Sequence, residues 1–332
     1  MAIQHPYLMF LGDARDQLAA KTAQGVVDWR PDWCLGQLRM ADCQADVGLQ
    51  EMSLEAGVEA GAKTLVVGVA NRGGVISEAW TDVLEQALGL GMDVAAGLHN
   101  RLVDVPRIKL AADRHGRRLF DVRHSTQTFE VGNGRKRPGK RLLTVGTDVS
   151  VGKMYTSLAL EREMRSRGMK ADFRATGQTG ILIAGDGVSV DAVIADFISG
   201  ATEWLSPAND EDHWDLVEGQ GSLLHASYAG VTLGLIHGAQ PDALVLCHEP
   251  TRPHMRGLPD YPLPDLQVCM DVSLQAARVT NPAAAFIGVA INTSRMPEAE
   301  AEQLLRETGD RLGLPTVDPV RQGVAPIVDR LV

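Results

Sequence analysis

One segment restricts the fold of this 332-residue chain more than any other, the run of residues 142–156. Its apolar start predicts a strand, and Gly146 and Gly152 bound a turn that leads into a helix. This order is typical of a phosphate loop, in which successive backbone N–H groups curl around an anion. Lys153 adds a positive charge directly after the second glycine. A chance glycine-rich turn is the alternative, and the coincidence of all these features favours phosphate binding.

The loop departs from its common form at two points. Five residues separate the two glycines instead of four, and Met154 stands where a serine or threonine normally follows the lysine. That hydroxyl coordinates the Mg²⁺ ion between the β and γ phosphates, and a thioether cannot do so. Thr156 and Ser157 lie too far round the same helix to replace it. We therefore expect the loop to hold phosphates without magnesium-assisted phosphoryl transfer.

Short apolar runs alternate with helix-length amphipathic segments, which is typical of α/β folds with parallel sheets. A polar stretch rich in glycine and proline, residues 121–141, separates two such series. We therefore predict two α/β domains with parallel sheets, over residues 1–132 and 133–332, and the phosphate loop makes the second one P-loop NTPase-like. The predicted strands are 7–11, 64–70, 92–98, 141–145, 171–175, 214–218, 243–248, 286–292 and 316–318, with a helix at 77–88.

Charge and cysteine usage exclude several classes of protein. A formal net charge of -10 argues against binding nucleic acid through its phosphates, and the one basic run, residues 135–141, is expected to be a solvated linker. No apolar run approaches the ~18 residues of a membrane span, and the first residues do not show a charged region followed by an apolar one, so no secretory leader is expected. We expect a cytoplasmic protein with neither nucleic-acid nor membrane partners. The four cysteines lack CxxC spacing, which predicts reduced thiols and no metal site.

Polar residues follow the predicted strands of the second series. Residues 174–180 include Arg174, Thr176 and Gln178 among glycines, which suits a ligand-binding turn, with a plain loop as the alternative. Glu218 ends an apolar strand, where an unpaired carboxylate is costly, so it is a general base, a metal ligand or a structural acceptor. Because the carboxyl ends of parallel strands meet at one edge, these groups are expected near the phosphate loop.

Four further residues are candidates at the same edge. Asp191 is either a helix cap or a catalytic group, and His248 ends the fourth strand of this domain. Arg252 opens a proline-rich connection and pairs either with a carboxylate of a small acidic substrate or with an exposed partner. Asn292 closes another strand, where related nucleotide-binding sheets meet the base, so an adenine contact is predicted.

The phosphate loop resembles that of dethiobiotin synthetase and its ATP-using relatives. The resemblance continues through residues 174–177 and 215–219, where those enzymes carry a substrate loop and an acidic Mg²⁺ ligand. It implies an ATP- and Mg-dependent ligase or kinase in which Asp148 or Glu218 holds the metal. Met154 speaks against this alternative.

Nearly the whole chain resembles the D-glutamate N-acetyltransferase family, formerly a domain-of-unknown-function family. The matching segments are residues 71–74, 146–154, 174–180, 182–187, 191–193, 213–223 and 241–252, and the family's loop also carries methionine at the position of Met154. The resemblance implies a Rossmann-like fold for the N-terminal domain. The resemblance implies transfer of an acetyl group from acetyl-CoA to the amine of D-glutamate. It also implies a place in one pathway with an N-acetyl-D-glutamate racemase. Separately, we expect a homo-oligomer.

This resemblance gives the candidate residues roles. Glu218 is the expected base, with Asp191 and His248 as substitutes, and the amides around 219–221 are candidate oxyanion donors. The expected substrate-binding residues are Arg174, Thr176, Gln178 and Arg252. The expected donor-binding residues are Gly146, Thr147, Asp148, Val149, Ser150, Val151, Gly152, Lys153, Met154 and Asn292. A nucleotide is an alternative ligand of the loop, and a non-catalytic nucleotide sensor is a third functional hypothesis.

Overall fold

The structure is a computed structural model that describes residues 3–69, 75–125 and 127–331. The chain forms two compact units, Met1–Gln127 with Gly177–Ala192, and Thr128–Thr176 with Val193–Val332. Each unit holds one sheet of parallel strands between helices, so the predicted α/β fold class is confirmed. The domain boundary between residues 132 and 133 stays a prediction. Nothing in the sequence indicated that Gly177–Ala192 belongs to the first unit.

The strands of the described residues are β1 Tyr7–Gly12, β2 Cys34–Arg39, β3 Thr64–Val67, β4 Asp93–Ala96, β5 Leu119–Asp121, β6 Lys140–Gly146, β7 Ala171–Arg174, β8 Trp214–Val217, β9 Ala243–His248, β10 Ala285–Ile291 and β11 Thr316–Val317. The α-helices are α1 Lys21–Trp29, α2 Leu54–Glu59, α3 Glu78–Gly89, α4 Pro106–His115, α5 Lys153–Ser166, α6 Gln178–Ala184, α7 Ile198–Leu205, α8 Ala229–Ala239, α9 Leu266–Arg278, α10 Glu298–Leu312 and α11 Ala325–Val328. Short 3-10 turns lie at Pro31–Trp33, Leu102–Asp104, Val190–Ala192 and Ala195–Phe197.

The first unit is built on a sheet with the strand order β2-β1-β3-β4-β5. Every residue of β1, β3 and β4 is buried, as expected for strands that helices cover on both faces. Helix α6 belongs to this unit, where the hydroxyl of Tyr7 donates a hydrogen bond to the carbonyl of Leu182 at 3.3 Å. The core of the first unit therefore includes a segment that lies far along the sequence.

The second unit has the strand order β11-β10-β9-β6-β8-β7, in which β6 is a central strand. The chain leaves β6 for the β7–β8 side of the sheet and then crosses to β9 on its other side. In open parallel sheets a ligand crevice lies outside the carboxyl end of the strand where the order reverses. The loops after β6, β8 and β9 therefore surround the expected binding edge.

All nine predicted strands and the predicted helix at 77–88 are confirmed, with ends shifted by no more than three residues. The end of one predicted strand, Ala70, and the segment 71–74 lie outside the described residues. Two strands, β2 and β5, were not predicted. Both are edge strands, which pair on one side only and so lack the continuous apolar runs of the interior strands.

The expectation that residues 135–141 form a solvated linker is wrong for two of their arginines. Arg141 is fully buried in β6. Its guanidinium donates to the carbonyl oxygens of Arg137 at 2.8 Å, Pro138 at 2.9 Å and Pro207 at 3.0 Å. Arg137 in turn donates to the carbonyl of Gly238 at 2.8 Å. These cations therefore bind backbone carbonyls inside the unit instead of facing water.

The sequence predicts reduced thiols and no membrane-spanning segment. All four cysteines are free, and three of them, Cys34, Cys247 and Cys269, are buried. In the part of the chain that the structure describes, no helix is long and apolar enough to span a membrane.

Candidate active site

The phosphate loop has the predicted shape. Strand β6 ends at Gly146 and helix α5 begins at Lys153, so residues 147–152 form the turn between them. Ser150 and Gly152 have φ angles of 54° and 102°, which lie in the left-handed region. These two residues reverse the chain so that it enters α5 with its first amide groups facing the loop.

Two glycines allow a close approach of backbone and side chain at this edge. A Cβ atom on Gly219, just after β8, would lie 1.7 Å from the carbonyl oxygen of Thr144 in β6. A Cβ on Gly146 would lie 3.0 Å from the Nζ atom of Lys153. Bare backbone at both positions therefore leaves room for the lysine side chain across the strand ends.

Lys153 provides a buried positive charge inside the loop. Its Nζ atom donates a hydrogen bond to the carbonyl oxygen of Asp148 at 2.8 Å. Burial lowers the pKa of Lys153 to about 8, while Cys247 and the carboxylates of Asp148 and Glu218 act in the opposite direction. A phosphate group in the loop would stabilise the charge that burial disfavours.

The hydroxyl groups of α5 do not replace the one missing at Met154. Thr156 donates to the carbonyl of Gly152 at 3.0 Å, and Ser157 lies 3.0 Å from the hydroxyl of Thr144. Both hydroxyls therefore already have partners within the unit. Among the described residues, no three or more histidine, cysteine, aspartate or glutamate side chains form a group that could hold a metal ion.

Asp148 connects the phosphate loop to the loop that follows β9. Its carboxylate is fully buried and accepts hydrogen bonds from the Arg252 guanidinium at 2.7 Å and from the main-chain nitrogen of Arg256 at 2.8 Å. The amide of Val149 also donates to it at 2.7 Å. The Nε2 atom of His225 lies 3.7 Å away. The two loops are therefore joined through one carboxylate.

Arg252 is engaged entirely within this connection. Its guanidinium also donates to Glu249 at 2.7 Å, to the carbonyl of Val149 at 2.7 Å and to the carbonyl of Ser150 at 2.6 Å. A role for Arg252 in binding a substrate carboxylate stays a prediction, and such a carboxylate would compete with these partners.

Arg174, the other expected carboxylate-binding residue, also has an internal partner. Its Nε atom lies 2.7 Å from the buried carboxylate of Asp215, and Asp172 lies 3.7 Å from its guanidinium. Its carbonyl oxygen accepts a hydrogen bond from the amide of Glu218 at 3.0 Å. The role predicted for Arg174 stays a prediction. A substrate carboxylate would have to compete with Asp215 for the Arg174 guanidinium.

Glu218 lies directly after β8, and it is only 4% exposed. Its carboxylate accepts a hydrogen bond from the amide of Thr176 at 2.9 Å, and its carbonyl accepts one from the Thr176 hydroxyl at 2.6 Å. Gln220 donates to that hydroxyl at 3.2 Å. The structure thus brings two predicted site residues, Glu218 and Thr176, into direct contact.

The amides after Glu218 are not equally available as oxyanion donors. The amide of Gly219 donates to the hydroxyl of Thr144 at 3.0 Å, so its hydrogen points back into the sheet. An oxyanion would have to compete with the Thr144 hydroxyl for this amide, and its predicted role stays a prediction. The amides of Gln220 and Gly221 remain candidates.

His248 ends β9 and contacts the phosphate loop. Its Nδ1 atom lies 2.9 Å from the hydroxyl of Thr147. Burial lowers the pKa of His248 to about 4, so the ring is neutral at pH 7. Asn292 lies beside His248, because the main-chain nitrogen of Asn292 donates a hydrogen bond to the His248 carbonyl at 2.8 Å. The side-chain oxygen of Asn292 accepts a hydrogen bond from the main-chain nitrogen of Ser294 at 3.1 Å.

Two predicted site residues, Asp191 and Gln178, belong to the first unit. The Asp191 carboxylate pairs with Arg123 and accepts a hydrogen bond from the Ser189 hydroxyl at 2.7 Å. Gln178 opens α6 and packs so closely on Gly97 that a Cβ there would lie 2.1 Å from its side-chain oxygen. The roles predicted for both residues remain predictions.

The sequence alone did not reveal that His225, Glu249 and Arg256 help to join the two loops. The clue was present in the Glu249–Arg252 segment, which follows β9 with an acid and a base three residues apart. Nothing in the sequence pairs Asp148 with a residue about a hundred positions away. That contact depends on β6 and β9 being neighbours in the sheet.

Comparison with known proteins identifies the family. Residues 130–328 match the family described as "Domain of unknown function (DUF1611_C) P-loop domain", and residues 38–125 match its partner, "Domain of unknown function (DUF1611_N) Rossmann-like domain". A crystal structure of a DUF1611 family protein from Anabaena variabilis has a TM-score of 0.88 and is 31% identical, with 99% of each chain covered. The predicted Rossmann-like and P-loop architecture is thereby confirmed.

Two curated relatives share the full length of the chain. A protein from Tritonibacter scottomollicae named D-glutamate N-acetyltransferase is 58% identical over 99% of each chain. A protein of the same name from a Pseudoalteromonas species is 47% identical over 100% of each chain. The chain therefore belongs to the DUF1611 family that includes these D-glutamate N-acetyltransferases.

Proposed function

We propose that this protein is an acyltransferase that moves the acetyl group of acetyl-CoA to the amine of D-glutamate and forms N-acetyl-D-glutamate. The observation that carries the proposal is the 58% identity, over 99% of both chains, to a relative of that name. The phosphate loop at the carboxyl end of β6 is compatible with this proposal, because coenzyme A carries a diphosphate and a 3′-phosphate.

The donor is held at the phosphate loop in this proposal. The buried ammonium group of Lys153 and the amides at the start of α5 supply positive potential for its phosphates. The loop acts as a binding site and takes no part in phosphoryl transfer, so the absence of a hydroxyl at Met154 is no obstacle. The proposed donor-binding residues are those of the loop, 146–154, together with Asn292.

The proposed reaction is direct transfer between the two substrates. The amine of D-glutamate must first lose a proton to a base, and its nitrogen then attacks the thioester carbonyl carbon. The new C–N bond forms, the tetrahedral oxyanion collapses, and the C–S bond breaks to release the thiolate of coenzyme A, which takes up a proton. Amides near the carboxyl end of β8 are suited to stabilise the oxyanion.

Glu218 is the proposed base. Its carboxylate is buried at the end of β8, beside the amide of Thr176, on the same sheet edge as the phosphate loop. His248 and Asp191 are the proposed substitutes, although burial lowers the pKa of His248 to about 4 and makes its neutral ring a weaker base than an ordinary histidine. Arg174, Thr176, Gln178 and Arg252 are the proposed ligands of the D-glutamate carboxylates, in competition with the internal partners of the two arginines.

The location, the oligomeric state and the pathway partner are part of the same proposal. We propose that the protein is a cytoplasmic homo-oligomer and that its product passes to an N-acetyl-D-glutamate racemase. Size measurement in solution tests the first part of this statement, and conversion of the product by a purified racemase tests the second.

One assay separates the proposal from an ATP-dependent reaction. The purified protein is incubated with D-glutamate or L-glutamate, and with either acetyl-CoA or ATP and Mg²⁺. Release of free thiol that requires D-glutamate, with N-acetyl-D-glutamate detected by mass spectrometry, is the expected result. Formation of ADP without thiol release would overturn the proposal in favour of a ligase or kinase.

A further inference from the structure

The loop after β9 is fixed to the phosphate loop at Arg256. The amide of Arg256 donates to the buried carboxylate of Asp148 at 2.8 Å. Its carbonyl oxygen lies 3.1 Å from the Nε2 atom of His225. Since the amide of Ser227 donates to the Nδ1 atom of the same ring at 3.1 Å, Nδ1 is the acceptor and Nε2 carries the hydrogen that is donated to Arg256.

Both main-chain groups of Arg256 are thus bound by side chains that are almost completely buried. Asp148 is 0% exposed and His225 is 1% exposed. The preceding residue, Met255, is only 3% exposed and anchors the loop in the core. These contacts fix the main chain of Arg256 and so restrict where its side chain can reach.

The side chain of Arg256 differs sharply from that of its neighbour in the same loop. Arg252 directs its guanidinium to Asp148, Glu249 and the loop carbonyls. Arg256 is exposed, and within residues 3–69, 75–125 and 127–331 its guanidinium has no hydrogen bond or ion pair. In a protein with a net charge of -10, an unpaired arginine fixed beside a phosphate loop is a distinctive feature.

We propose that Arg256 is a second cation of the donor site and that its guanidinium binds a phosphate group of acetyl-CoA. This inference rests on the proposed function. Guanidinium groups bind phosphate through two parallel hydrogen bonds, and a guanidinium stays charged over the pH range in which the buried Lys153 loses its proton. The contacts of Asp148 and His225 hold the main chain of Arg256 next to the phosphate loop, and the proposal is that its long side chain extends from there to the bound phosphate.

The test compares Arg256→Gln with Arg278→Gln. Arg278 is exposed in the last turn of α9, so its substitution removes the same charge without touching the loop. Binding of coenzyme A is measured by calorimetry. We expect Arg256→Gln to weaken it about tenfold or more, as for loss of a charged hydrogen bond, and Arg278→Gln to leave it within about twofold of the wild type. The KM for acetyl-CoA should rise in parallel, while kcat and the KM for D-glutamate stay unchanged.

A second ligand identifies the phosphate group involved. If 3′-dephospho-coenzyme A binds equally well to Arg256→Gln and to the wild type, the contact is with the 3′-phosphate. If the loss persists with this ligand, the contact is with the diphosphate. Both results support the proposal.

Two results would overturn it. One is that Arg256→Gln binds coenzyme A as the wild type does, while the wild type still acetylates D-glutamate. The other is that the KM for D-glutamate rises instead of the KM for acetyl-CoA. A wild-type protein that binds no coenzyme A would instead contradict the proposed function itself. The melting temperature should be the same in both variants, because the main-chain contacts of Arg256 do not need its side chain.

Discussion

Gly219 and Thr144 are joined both by a hydrogen bond and by direct backbone contact. The Gly219 amide donates to the Thr144 hydroxyl at 3.0 Å, and a Cβ on Gly219 would stand 1.7 Å from the Thr144 carbonyl oxygen. Thr144 lies in β6 just before the phosphate loop, and Gly219 directly follows the proposed base. This contact therefore sets the distance between the phosphate loop and the carboxylate of Glu218.

The first prediction is that Gly219→Ala destabilises the second unit. The new methyl group would overlap backbone, which cannot move aside as a flexible side chain does, so we expect a loss of about 3 kcal/mol in the free energy of unfolding. Gly230→Ala is the matched control, because a Cβ there meets nothing within 4 Å. Urea denaturation of both variants measures the difference, and equal stability of the two would refute the contact.

The second prediction concerns the charge of Lys153. Its pKa is about 8 in the folded protein, below the ordinary value of 10.5, because burial disfavours the charged form. The charge therefore disappears as the pH rises through about 8, and the affinity for coenzyme A should fall by up to about tenfold per pH unit above that point. Calorimetry from about pH 6.5 to 9.5 measures this change. Lys153→Gln is the control: its weaker binding should lose this dependence, and a slope as steep as that of the wild type would assign it to another group.

Linkage also fixes the sign of the Lys153 contribution to stability. Between about pH 8 and 10.5 the unfolded chain binds this proton and the folded protein does not. The contribution of Lys153 to the free energy of unfolding therefore increases with pH across this range, and it penalises folding most below about pH 8. Lys153→Met should accordingly raise the stability near pH 7 by more than it does near pH 10.

The third prediction is that Met154→Ser leaves acetyl transfer nearly unchanged. The side chain of Met154 is half-buried at the start of α5, where a donor-binding loop needs no metal ligand. We expect kcat/KM for acetyl-CoA to stay within about threefold of the wild type, because the proposed phosphate contacts use main-chain amides and Lys153, which this substitution leaves in place. A gain of D-glutamate-dependent ADP formation in this variant would show that the loop retains the rest of an ATP site.

Much of the fold was predictable because interior parallel strands are continuous apolar runs. Strands such as β6 and β9 stand out for this reason, while β2 and β5 lie at sheet edges and resemble loops in sequence. The burial of Arg141 was not predictable, since it depends on carbonyl oxygens that the fold gathers around its guanidinium. An arginine next to a basic run is exposed in most sequences with this pattern.

The candidate site was predictable only in outline. The position of the loop, of Glu218 and of His248 follows from strand ends that share one sheet edge. The return of Asp191 to the first unit and the pairing of Asp148 with Arg252 depend on long-range contacts. Local sequence patterns carry no information about such pairs, because either partner alone looks like an ordinary charged loop residue.

The fourth prediction is that Asp148→Asn loosens the connection between the two loops. The amide keeps the shape of the carboxylate but removes the charge that holds Arg252, so we expect a loss of about 1.5–3 kcal/mol in the free energy of unfolding. The KM for acetyl-CoA should rise, because the phosphate loop and Arg256 are no longer held at a fixed distance from each other. Asp310→Asn on the exposed face of α10 is the control and should change neither quantity. Wild-type stability and KM in Asp148→Asn would show that the buried ion pair is not needed.

The fifth prediction tests Glu218 as the base. Glu218→Gln keeps an oxygen that can accept the hydrogen bond from the Thr176 amide, so the strand end should keep its shape. Loss of a general base typically lowers kcat by a factor of about 10² to 10⁴, and we expect a decrease in that range with unchanged affinity for coenzyme A. Steady-state assays together with calorimetry separate the two effects.

Asp191→Asn and His248→Gln serve as the comparison for that experiment. If Glu218 is the base, neither variant should lose more than a small part of the kcat that Glu218→Gln loses. Near-normal turnover in Glu218→Gln, combined with a large loss in one of the other two, would move the role to that residue. The pH dependence of turnover also distinguishes the loss of a base from a structural defect. At higher pH more of the D-glutamate amine is already neutral, so the turnover of Glu218→Gln should partly recover. A variant that is merely misfolded would show no such recovery.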